Sequence, residues 1–199
     1  VAWPQPTLMF NVSILTGVLL LAIAIRTKLP ALHAAAVSVL SVAVLIAFCW
    51  LMQLVSASAP TGLQWLQAAL QGRTSLLLTG IAVIVAGCGA WQFLKQDRSV
   101  GIAYIATAAV LSVLGMLIAG WSGFAPLAEP WTGDGDIAGP LFFCYAIALF
   151  AIAITVVSEQ VLVAAMVLLW IALIQLFAAN DTFHALLTNL HLLPERPVL

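Results

Sequence analysis

Along the chain the apolar positions neither alternate nor follow the period of a half-buried helix; they run on in long blocks, and polar residues gather at the block ends. A bilayer core about 30 Å thick is crossed by about 20 apolar helical residues, and a helix satisfies its own backbone groups there. The blocks fall at about 8–26, 31–56, 74–94, 99–123, 139–157 and 161–180, and each is read as a membrane span. The last two form nearly one run of about forty residues, about 60 Å if straight and twice the core thickness. A turn must therefore fall near its middle. In VVSEQVLVAAM (156–166) the polar residues Ser158, Glu159 and Gln160 are expected to cap that turn. The alternative is a carboxylate at membrane depth, where acids are costly and tend to serve function.

The expected fold is an all-α integral membrane protein with six transmembrane helices arranged as three consecutive helical hairpins, forming a single transmembrane domain over 1–199. Arg26 and Lys28 lie between the first and second spans, and Lys95 and Arg98 between the third and fourth, so the positive-inside rule places both turns in the cytoplasm. The acidic loop APLAEPWTGDGDIAG (125–139), Asp181, Glu195 and both termini are then outside, in the cell (inner) membrane, and Arg73 is the exception. The segment PTGLQWLQAALQGR (60–73) has apolar residues at helical spacing and reads as a short interfacial helix or a plain connection. Trp3, Trp65, Trp121 and Trp131 mark the outer boundary and Trp91 the inner one; Trp50 and Trp170 lie deeper and read as packing residues. Small residues four apart, Ala82, Ala86 and Ala90, then Ala108 and Ser112, would permit close helix contact.

Composition agrees with this pattern. With 64% hydrophobic and 7% charged residues, a water-soluble fold could not cover its own apolar surface. Six basic against seven acidic residues give a net charge of −1, which excludes nucleic acid as a partner because phosphate binding needs a basic face. The three cysteines, Cys49, Cys88 and Cys144, lie far apart without a CxxC pair and read as small buried hydrophobes. VAWPQPTLMF lacks the basic n-region of a secretory signal, and the first basic residues follow the first apolar run, so no cleaved signal peptide is expected.

Candidate chemistry is sparse. GWSG (120–123) matches the GxSG of intramembrane serine proteases of the rhomboid type, which also carry a His on their sixth span. Ser122, however, ends its span, His184 lies beyond the last apolar run, and the orientation is opposite; a Ser without a placed base is an unactivated alcohol. His33 falls on the inside whereas His184 and His191 belong to the outer tail, so they cannot ligate one haem iron. No phosphate loop, GxGxxG or HExxH is present. No catalytic residue, cofactor or metal is therefore expected. The spans and their ends do carry neutral hydrogen-bonding groups. Asn11, Gln53, Gln92, Tyr104, Tyr145 and Gln175, with Glu159, are the pore or pathway candidates. Interhelical bonding is the competing role for each, and such a bond contributes about 1 kcal/mol.

The segment GAWQFLKQDRSVGIAYIATAAVLS (89–112) resembles the turn between the third and fourth spans of the amide and proton-gated urea channel family, and of related acetate and succinate transporters. The resemblance in topology extends over the whole chain. TGIAVIVAGCGAW (79–91) lacks the family's aromatic run, and Asn11 alone represents its Asn-rich first hairpin. The resemblance implies a homo-oligomeric channel or transporter for urea, short amides or acetate. The alternatives are a non-catalytic subunit of a larger membrane complex and an intramembrane hydrolase using Ser122.

Overall fold

The computed structural model describes residues 5–55, 61–95, 97–124, 137–178 and 188–189. Their regular structure is helical: α1 (Pro6–Thr27), α2 (Pro30–Leu51), α3 (Gly62–Ala69), α4 (Gly72–Leu94), α5 (Arg98–Phe124), α6 (Ala138–Val156) and α7 (Glu159–Ala178). Five of them, α1, α2, α4, α5 and α7, are long and apolar enough to cross a membrane, and α6 contributes a shorter apolar stretch, Ala138–Ile154. The chain is thus a multi-pass membrane protein.

The helix ends follow local chemistry. Pro6 and Pro30 open α1 and α2, where the missing N–H is no loss and the fixed φ suits a helix. Lys28 closes α1 in the left-handed region (φ 55°), donating its N–H to the Ala24 carbonyl. The expected second span, 31–56, is longer than α2. Gln53 takes up a left-handed conformation (φ 55°) and the Leu54 N–H bonds the Cys49 carbonyl at 2.9 Å, which ends the helix at Leu51. This is a Schellman-type stop, and Leu54 packs against the buried cluster that holds Cys49 and Val55.

The last reversal falls at Val157 and Ser158, so Ser158 lies in the turn and Glu159 and Gln160 open the next helix. Val157 turns left-handed (φ 53°), its N–H and that of Ser158 both reach the Ala153 carbonyl, and Glu159 is already the first residue of α7. A branched side chain is strained at positive φ. Glu159 in the first helical turn complements the positive end of the helix dipole.

The contacts divide the chain into two compact units. The first comprises Val1–Leu70 with Thr74–Gly115, and the second Gln71–Arg73 with Met116–Leu199. In the first unit α1 packs along α2, burying Gly17 and Ala24 on one helix and Ala36 and Ala43 on the other. Both pairs are seven residues apart, two turns along each helix, which puts small residues at the contact. The short helix α3 carries a full capping box between Thr61 and Gln64. It rests Trp65 and Ala68 on Cys49 and Val55, and leaves Leu63 and Leu66 exposed. In the second unit α6 packs on α7 around Ala119, Ala138, Leu141, Phe142 and Ala172.

Candidate functional site

Among the described residues each unit encloses polar side chains, and one in each is set against other helices. In the first, His33 is buried four residues into α2, and its Nδ1 lies 3.3 Å from the Tyr104 hydroxyl of α5, with the rings tilted at 47°. Behind this pair α4 and α5 touch through glycines. A Cβ built on Gly89 would stand 3.1 Å from the Gly101 carbonyl oxygen and from the Tyr104 Cβ, closer than real side-chain contacts tolerate without displacement. The close approach therefore lies at Gly89 and Gly101, not along the Ala82, Ala86 and Ala90 row, where Ala82 is buried but Ala90 is exposed.

In the second unit Gln175 of α7 is fully buried. Its carboxamide oxygen occupies the space where a side chain on Gly139 would stand, and its nitrogen lies 3.5 Å from the Cβ position of Gly123. Glycine at both positions is what leaves room for the amide. Tyr145 packs against the same cluster from α6. The Ser122 hydroxyl is buried and bonds the Ala119 carbonyl of its own helix at 3.2 Å, a local back-bond with no activating base in it. His184 and His191 lie outside the described residues.

The pathway candidates fall in different settings. Asn11 and Gln53 are exposed, Gln53 as a helix-stop residue rather than a span residue. Gln92 is half-buried near the end of α4 and its carbonyl accepts the N–H groups of Lys95 and Asp97, so its backbone closes the helix. Tyr104 and Gln175 are the two with tightly defined surroundings, and Glu159 is exposed at the start of α7. Trp50 and Trp170, expected to pack inward, are exposed at 43% and 63%. Cys88 and Cys144 are exposed too, and only Cys49 is the buried hydrophobe expected of all three.

Sequence reasoning missed the enclosure of Thr74 and Ser75, which are fully buried at the start of α4. Thr74 donates to the Ala68 carbonyl at 2.9 Å and so joins the end of α3 to α4. The signal available was a Thr-Ser pair directly after a short amphipathic segment. The pairing of His33 with Tyr104 left no such trace, because the partners are 71 residues apart. Among the described residues no three His, Cys, Asp or Glu side chains come together as a metal site. In comparisons with known proteins, the chain matches no family model, no curated protein and no solved structure.

Proposed function

We propose that the chain is a six-span membrane protein, built as three consecutive hairpins, that works as a non-catalytic transmembrane subunit of an assembly. One observation carries this reading: in the five long spans only 11% to 33% of the most apolar stretch is buried within the chain. Several hydroxyl groups inside the spans meanwhile turn back on their own helices. Thr27, Ser38, Ser41, Thr79 and Thr107 each donate to the carbonyl one turn earlier. Such groups supply little lining for a polar path, while the smooth apolar faces suit lipid and neighbouring helices. The partners are the bilayer and further subunits, either copies of this chain or other proteins.

The test is purification in mild detergent followed by reconstitution. The subunit reading expects a defined higher-mass complex and liposomes with no solute flux in stopped flow. A monodisperse single chain that conducts a small solute would overturn it. Topology is tested separately by labelling cysteines placed at Asp97 and Asp134 in a background lacking Cys88 and Cys144. The six-span arrangement with N- and C-termini outside requires that they react from opposite sides.

A second reading is the channel or transporter for urea, short amides or acetate. It is favoured by the His33–Tyr104 pair, because Tyr104 belongs to the segment that resembles that family and its hydroxyl is directed at a buried imidazole. Flux lost in Tyr104→Phe with the fold intact would support this reading over the first. For the hydrolase alternative, Ser122→Ala is expected to change no activity, since the hydroxyl bonds its own helix.

A further inference from the structure

The His33–Tyr104 bond fixes which turns of the first unit share an end. His33 is about 4.5 Å along α2 from Pro30 and Tyr104 about 9 Å along α5 from Arg98, at 1.5 Å per residue. The turn between α1 and α2 and the turn between α4 and α5 are therefore side by side. Arg26, Lys28, Lys95 and Arg98 are all exposed there, and the only acid among them is the half-buried Asp97. Four positive charges less one negative leave +3 at this end, in a chain whose net charge is −1. Two helix C-termini and two N-termini meet at the same end, so their partial charges offset one another and the side chains set the sign. The Lys95 ammonium stands 5.1 Å from the Trp91 ring centroid, which holds it beside an exposed indole of the kind that settles among lipid headgroups. At the opposite end of this unit the described residues 5–8, 48–55, 61–70 and 74–78 carry no charged side chain, and the exposed Arg73 directly precedes Thr74 on α4.

We infer that the basic end of the first unit binds the phosphate headgroups of anionic phospholipids. Arginine offers a planar fork for phosphate oxygens and lysine a mobile point charge, and both lie at the ends of apolar helices where a headgroup and its acyl chains can be engaged together. The inference holds whether the protein is a complex subunit or a channel.

The test is native mass spectrometry of the full chain with phosphatidylglycerol and, separately, phosphatidylcholine. Preferential retention of phosphatidylglycerol is expected, weakened roughly fivefold by each neutralised basic residue and so about 25-fold in R26Q/K28Q. The charge-retaining R26K/R98K should hold the lipid within about twofold of the unaltered chain, since charge sets most of the attraction. In the unaltered chain, raising salt from about 0.05 to 0.5 M should weaken retention of the anionic lipid, which keeps the test valid if a neutralised variant does not insert. Equal retention of both lipids, indifference to salt, or unchanged binding in an inserted R26Q/K28Q would overturn the inference. Displacement of the lipid by millimolar inorganic phosphate would also overturn it, by showing a site for free anions.

Discussion

His33 and Gln175 are both buried polar side chains in apolar helices, and the two units accommodate them in opposite ways. His33 is answered by one side chain from another helix, the Tyr104 hydroxyl, in a bond that either partner can lose without a change of shape. Gln175 is enclosed by close packing, with Gly123 and Gly139 on other helices leaving room for its amide. A polar pair of the first kind adds modest stability, because in a membrane the unfolded reference state also finds hydrogen-bond partners. A polar group of the second kind is set by packing, where interiors are dense and do not yield. The difference predicts that the Gln175 site tolerates substitution far less well than the His33 site.

The largest effect should follow Gly139→Val. Its Cβ would overlap the Gln175 oxygen and press on Leu176, and overpacking of this kind costs about 3 kcal/mol. Thermal unfolding in detergent would measure it, and adding Gln175→Ala should recover part of the loss. A variant as stable as the parent would break the comparison. Gln175→Ala alone leaves a cavity and is expected to cost about 2 kcal/mol by the same assay. Tyr104→Phe should cost only about 0.6–1 kcal/mol. A double-mutant cycle with His33→Ala would sharpen that figure, since the coupling vanishes if the 3.3 Å contact is not a bond. Smallest of all is Glu159→Gln. An exposed acid in the first turn of α7 contributes about 0.3–1 kcal/mol through the helix dipole, reduced by salt, so the variant should insert normally and melt close to the parent. A large loss on its removal would mean that Glu159 is enclosed by a neighbouring subunit.

Much of the helical layout was legible because hydropathy is a local property. The observed ends of α1, α4, α5 and α6 fall within about two residues of the apolar blocks, the usual fuzziness of helix ends. The larger miss is at the end of α2, where Gln53 makes a left-handed stop without being a glycine. Nothing in its chemistry announces such a stop, which accompanies the return of the chain onto the cluster around Cys49. The outward placement of Trp50 and Trp170 was equally hidden, because a span that is apolar all round does not reveal which face meets its neighbour.

By itself the sequence determined the solvent and the rhythm: blocks of bilayer length, charges confined to their ends, and an amphipathic segment between the second and third spans that forms α3. These follow from the transfer of single side chains and from one helix at a time. The tertiary structure alone decided which polar groups are enclosed. His33 meets Tyr104 across 71 residues, and Gln175 fits only because Gly139, on a different helix, has no side chain. Such pairings depend on the register and facing of two helices, and among nearly uniform apolar surfaces that choice rests on small differences in packing, summed over the whole contact.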